Sequence, residues 1–201
     1  SAGGLLLGAV ANMYPGLFKA MVMKVPFTDP YSSMCDPTLP LTIHEYDEWG
    51  GNPLIDTNVH DYILSYSPYQ NIKDQIYPSM LITGSTIDNR VPPSHPMKFI
   101  EKVRKCKTND DALMLLSMQN EYGHFGQGGR YGHLEESALE YAFLTKVLEL
   151  DYYWKRGEGE RYLIRVRILI YALICNFYEV RMYVKFEEHQ KDIFKTLFFL
   201  W

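Results

Sequence analysis

Three residues of this chain have the types and the order needed for acyl transfer. Ser1 opens the run Ser1-Ala2-Gly3-Gly4, and the apolar helical pattern Leu5-Leu6-Leu7-Gly8-Ala9-Val10-Ala11 follows at once. That is the second half of a Gly-x-Ser-x-Gly elbow, in which a strand delivers a serine into a tight turn and a helix leaves directly. Small residues after the serine, here Ala2 and Gly3, let helix and strand approach closely, and helix-start amides point toward the serine oxygen. Asp88 lies in Gly84-Ser85-Thr86-Ile87-Asp88-Asn89-Arg90-Val91, 87 residues after Ser1, and His124 lies 36 residues further on, in Glu121-Tyr122-Gly123-His124-Phe125-Gly126. In such a set the histidine takes the serine proton and later gives it to the leaving group. The aspartate fixes the imidazole tautomer and stabilises the imidazolium. Glycines beside His124 would let a short loop aim the ring.

Each residue alone has an ordinary explanation. An aspartate in a post-strand turn is commonly a turn residue, and a histidine among glycines is commonly a loop residue. Their order and their placement at successive strand ends separate them from that background. His133 is the rival base, but it sits beside the last helix of this region. His44, His60, His95 and His189 lack a comparable setting.

The elements that must position these residues alternate. Residues 3–14 read as a helix closed by Pro15-Gly16. Residues 19–26 read as a buried strand ended by Pro26. A Pro- and Asp-rich stretch over 28–77 reads as loops with short helices. Residues 78–84 and 112–118 read as two further strands, with a helix over 96–105 between them and Pro96 in its first turn. Residues 135–150 read as a closing helix, with Leu139, Ala142, Phe143, Leu144, Val147 and Leu148 at helical spacing. Strands alternating with helices predict an α/β fold with a parallel sheet, whose chemistry sits at the carboxyl ends of the strands. The missing half of the elbow predicts a delivering strand upstream of Ser1.

Composition bounds the alternatives. A chain of 201 residues that is 47% hydrophobic and 22% charged suits a globular domain with a real core. The net charge of −4 gives no support for nucleic-acid binding. Cys35, Cys106 and Cys175 are odd in number and widely spaced, with no metal-type pairing, so no metal or other cofactor is implied and a reduced, cytoplasmic setting is expected. All 11 prolines fall within residues 1–150, and none within 151–201. The boundary is placed at the polar stretch Lys155-Arg156-Gly157-Glu158-Gly159-Glu160.

Ser1-Ala2-Gly3-Gly4 resembles the elbow of the prolyl oligopeptidase family, and so do Leu39–Gly50, Tyr66–Ile72 and Asp88-Asn89-Arg90-Val91. Within that family the chain is most similar to the oligopeptidase B branch. The likeness shows in Leu39–Gly50, Lys107–Asp111, Gly123–Tyr131 and Leu139–Leu144, and covers about residues 1–150. The resemblance implies a partial α/β-hydrolase domain of a serine endopeptidase that cleaves short peptides, with a β-propeller and the first strands of the sheet lying elsewhere. It assigns Ser1 as nucleophile, Asp88 as triad acid, His124 as base and the Ala2 backbone N–H as an oxyanion donor. It further implies cleavage after Arg or Lys through Glu45 and Asp47, since two carboxylates can hold a guanidinium by charge-assisted bonds. Asp47 is shorter than the family's usual glutamate, and Gly51 is an insertion after Trp49-Gly50. Cleavage after proline therefore remains an alternative, as does a fragment without activity of its own. Arg130 is a candidate for binding a substrate carboxylate or backbone.

Residues 151–201 resemble nothing in that family and read as an atypical apolar and basic extension. The uncharged run Ile168–Tyr178 is 11 residues long, too short to span a bilayer. An interfacial membrane helix is the alternative, and a membrane partner is not expected.

Overall fold

The computed structural model describes residues 1–128 and 131–150. Three parallel strands, β1 (Ala20–Lys24), β2 (Ser79–Ser85) and β3 (Met114–Gln119), form one sheet in the order β1-β2-β3. Among the described residues six helices accompany them: α1 (Ala2–Met13), α2 (Pro30–Met34), α3 (Thr42–Glu45), α4 (Thr57–Tyr66), α5 (Ser94–Cys106) and α6 (His133–Leu148). The predicted strands and helices appear within one to two residues of their expected ends, save for the stretch 28–77. There a ten-residue helix, α4, forms, capped by the Asp56 side chain on the Asn58 amide at 2.8 Å.

The core lies between the sheet and α1 and α5. Met21, Met23, Met80 and Ile82 of the strands pack with Ala11 of α1 and with Phe99, Ile100 and Val103 of α5. A second, smaller cluster of Met34, Val59 and Ile63 joins α2 to α4, with Phe27, Tyr31, Trp49 and Tyr66 around it.

Helix α1 buries its small residues, Gly4, Gly8, Ala9 and Ala11, and leaves Leu6 exposed. A Cβ on Gly4 would stand 2.3 Å from the Pro26 Cβ, and one on Gly8 would stand 2.8 Å from the Pro68 Cβ. The close approach that the elbow requires thus falls on Gly4; Ala2 is exposed. The far end of α1 is fastened by polar contacts. Asn12 Nδ2 donates to the Pro68 carbonyl at 2.8 Å, Tyr77 Oη donates to Asn12 Oδ1 at 2.9 Å, and Gln75 Nε2 donates to the Asn12 carbonyl at 3.0 Å.

The predicted apolar face of α6 is only partly buried. Phe143 is buried, whereas Leu139, Ala142 and Leu148 are exposed. Lys24 at the end of β1 reaches Glu140 Oε1 at 2.8 Å and Glu136 Oε2 at 3.6 Å, so charge as well as apolar contact seats this helix. Among the described residues no helix is long and apolar enough to cross a membrane. The expectations for residues 151–201 lie outside the described residues.

Candidate active site

Strands β2 and β3 are neighbours, paired from Met80↔Met114 to Ser85↔Gln119, so the loops that leave their carboxyl ends start side by side. Asp88 stands on the first loop and His124 on the second. His124 Nδ1 and Asp88 Oδ2 are 2.8 Å apart, and the two side chains are 8% and 2% exposed. An ionised carboxylate only accepts, so Nδ1 is the donor, and in the neutral tautomer this leaves the lone pair on Nε2. The other carboxylate oxygen, Oδ1, accepts from the Arg90 amide at 2.8 Å and the Val91 amide at 2.9 Å. Burial alone would raise the Asp88 carboxyl; the Val91 and Arg90 amides and the His124 ring outweigh it and hold it below the usual carboxylate range. The acid is therefore charged, oriented and committed to one histidine.

The loop carrying His124 requires one glycine for its backbone. Gly126 has φ of +77°, a left-handed conformation, and its amide donates to the Gly123 carbonyl at 3.2 Å. Gly123 has no such φ; its near side faces the Ile87 carbonyl, 3.6 Å from where a Cβ would lie. Phe125 is 85% exposed, meets the His124 ring edge-on at 5.3 Å, and carries the Arg90 guanidinium 5.5 Å from its centroid.

Ser1 is the exposed N-cap residue of α1. Its carbonyl accepts from the Gly4 amide at 2.9 Å and, across the turn after β1, from the Phe27 amide at 3.1 Å. That turn contains Val25 at φ of +41°, a left-handed conformation that is uncommon for a β-branched residue. Ser1 is thus fastened by its backbone at the carboxyl end of β1. Among the described residues its hydroxyl has no hydrogen bond, and Asp88 and His124 are the two members of the set that touch directly.

Among the described residues two other histidines have side-chain partners, and neither offers the same chemistry. His95 is buried, with Nε2 3.0 Å from Ser33 Oγ, a serine–histidine contact by distance. Its Nδ1, however, accepts the Asp29 backbone N–H at 3.2 Å, so Nε2 carries the proton and cannot receive one from the serine. Burial pushes His95 down to about 4. The Asp29 carboxylate is taken up by the Ser32 amide, Gln70 and Lys98. His60 lies between Asp61 and Tyr31, at 2.9 Å from each, with no serine in the set. His133, the rival base, is the exposed first residue of α6, without a carboxylate hydrogen bond among the described residues.

The two acidic specificity candidates stand apart in role. Glu45 ends α3, and its Oε2 accepts the Trp49 indole N–H at 3.3 Å. Asp47 is exposed and lines a cavity of about 380 Å³ with Glu48, Trp49, Gly50, Asn58, Val59 and Tyr62, a set that does not include Glu45. The extra glycine is accommodated by the turn: Gly50 and Gly51 have φ of +90° and +136°, and the Gly51 amide donates to the Tyr46 carbonyl at 2.7 Å. Arg130 lies outside the described residues. Among those residues no cluster of three or more His, Cys, Asp or Glu side chains is placed to hold a metal ion.

The family description "Prolyl oligopeptidase family" matches residues 1–151, three quarters of the chain. The chain belongs to that family. It is 44% identical over 151 residues to Protease 2 of Moraxella lacunata, covering 75% of this chain and 21% of that protein. It is 50% identical over 161 residues to the prolyl endopeptidase-like protein of Xenopus laevis, covering 75% of this chain and 23% of the other. Among solved structures it is similar to oligopeptidase B from Leishmania major, at 45% identity and a TM-score of 0.70, over 74% of this chain and 20% of that one. The parallel sheet and its helices are accordingly part of an α/β-hydrolase domain. The chain spans about a fifth of the length of these relatives.

Proposed function

We propose that this chain carries the catalytic residues of a serine endopeptidase acting on short peptides: Ser1 the nucleophile, His124 the general base and Asp88 the acid. The observation that supports this most is the 2.8 Å bond between Asp88 and His124, made from adjacent strand ends and shielded from solvent. His124 Nε2 takes the Ser1 proton as the hydroxyl attacks the scissile carbonyl, then returns it to the leaving amine. A water repeats the sequence on the acyl-enzyme. The Ala2 N–H, at the start of α1 where amides have no intrahelical acceptor, is the oxyanion donor. Residues 1–150 form the catalytic portion and 151–201 an extension. The setting of the reaction is the cytoplasm, with no metal or other cofactor and no membrane or nucleic-acid partner.

The test is labelling by a fluorophosphonate probe, with S1A as control. Adduct at Ser1 that is lost in S1A and in H124A supports the assignment; an active protein whose adduct maps elsewhere overturns it. Assaying the 201-residue chain on arginyl and prolyl peptides tells whether it turns over substrate by itself.

Specificity after Arg or Lys rests on Glu45 and Asp47. Hydrogen bonds to a charged group contribute about 1.5–3 kcal/mol each, roughly ten- to a hundredfold in affinity. E45Q and D47N should therefore each raise KM about tenfold or more on an arginyl peptide and leave a prolyl peptide unchanged. An arginyl KM unchanged in both variants, with the prolyl peptide turned over faster by the wild type, would favour cleavage after proline. The engagement of Glu45 with Trp49 is the observation on that side.

A further inference from the structure

Asp88 and His124 stand on separate loops, so something must set the distance between those loops. The last rung of the sheet is the Thr86 amide on the Gln119 carbonyl at 2.7 Å. Beyond it the backbone ladder stops, and one side chain continues it. Ser85, the buried last residue of β2, donates its hydroxyl to the Tyr122 carbonyl at 2.5 Å. The same oxygen accepts the Ile87 amide at 3.2 Å. Both connections are short in sequence. Ile87 precedes Asp88 directly, and Tyr122 is two residues before His124. The Ser85 carbonyl also accepts the Asp88 amide at 3.4 Å.

We infer that Ser85 is a positioning residue for the Asp88–His124 pair, its hydroxyl acting as a side-chain rung that holds the acid loop and the base loop in register. A hydroxyl can donate once and accept twice, so one atom can fasten both backbones. Alanine releases both at once and leaves the Tyr122 carbonyl and the Ile87 amide without this partner. Displacement of a general base by about 1 Å can lower turnover about a hundredfold without touching the substrate. The inference rests on the assignment of Asp88 and His124 above.

The experiment is steady-state kinetics of S85A, S85C and S85T in the protein, alone and combined with D88N. Cysteine fills the site but donates weakly, while threonine keeps the hydroxyl. Expected are a ten- to hundredfold loss of kcat in S85A and S85C with KM within twofold, and recovery to within about threefold in S85T. The combined S85A/D88N variant should be no slower than D88N alone, because the lost function is the same one. In the wild type a downfield proton resonance from the His124–Asp88 bond is expected, sharp, and broadened in S85C. Wild-type kcat in S85C overturns the inference. So does a loss in S85A that multiplies with that of D88N, or an unaltered downfield resonance. If S85A fails to fold, S85C and S85T decide it. Failure of the underlying assignment is separately visible, as a wild-type protein whose turnover survives H124A.

Discussion

Replacing Asp88 by asparagine changes one atom's hydrogen-bonding sense and little else. The asparagine oxygen can still accept the Arg90 and Val91 amides, which now hold Oδ1 at 2.8 and 2.9 Å. The amide NH2 then occupies the place of Oδ2, 2.8 Å from His124 Nδ1. Two donors cannot face each other at that distance, so the imidazole must switch tautomer, with Nδ1 accepting and Nε2 protonated. A protonated Nε2 cannot receive the Ser1 proton. The wrong tautomer costs on the order of 10⁴ in kcat, about 5 kcal/mol of transition-state stabilisation at roughly 1.4 kcal/mol per tenfold. Stability should fall by only about 1–2 kcal/mol, because the two backbone hydrogen bonds persist, the third is remade with its donor reversed, and only charge assistance is lost. D88A, by contrast, strands two backbone donors and should lose about 2–4 kcal/mol more. The assay is kcat and KM on a peptide substrate, with urea unfolding of wild type, D88N and D88A. A D88N enzyme within tenfold of wild-type kcat would refute the tautomer argument. So would equal stability of D88N and D88A.

Other outcomes follow from the same structure. G4A places a methyl group 2.3 Å from the Pro26 Cβ and must push α1 away from the turn after β1, so it should destabilise by about 1–3 kcal/mol or more in a thermal or urea melt. His95 is held to about 4 in the folded state, below its ordinary 6.5, so the unfolded chain binds a proton first as pH falls. Its contribution is fully present above pH 6.5 and is lost between there and about 4, amounting to roughly 3 kcal/mol. Urea midpoints measured at pH 7 and pH 4.5 should therefore converge in H95N relative to wild type, and an unchanged pH slope would count against the buried neutral ring.

The contact between Asp88 and His124 was legible because it depends chiefly on topology. Short apolar runs closed by Pro26 and Gly84 mark strands, strands in alternation with helices make a parallel sheet, and such a sheet presents its loops at one edge. Once β2 and β3 are adjacent, the loops that carry Asp88 and His124 start side by side. The oligopeptidase-like motifs then agree with the family that the chain belongs to. What escaped the reading depends on partners far along the chain. Asp29, Gln70, His95 and Lys98 converge across sequence separations of up to 69 residues, and nothing in their local windows announces it. Helix α4 was absorbed into a stretch read as loops with short helices: Val59, Tyr62, Ile63 and Tyr66 stand at helical spacing, but the Pro- and Asp-rich flanks outweighed them. The closing helix forms where expected, yet only Phe143 is buried on it, because apolar residues at helical spacing do not say what covers them.

Glu45 lies between these cases. Trp49 is four residues away, at the spacing where helical side chains meet, so the indole–carboxylate contact could have been read from the sequence. Asp47 lies beyond the end of α3, in the turn that follows Glu45. If both carboxylates hold one guanidinium, Glu45 must serve the indole and the ligand with different oxygens. The Oε1 oxygen is the one left for the ligand. Replacing Trp49 by phenylalanine would free Oε2 while keeping an aromatic ring against Phe27 and Tyr66. Tighter binding of an arginyl peptide by W49F would mean that the indole competes with the substrate. Weaker binding would mean that it aims the carboxylate, the role an oriented specificity group needs.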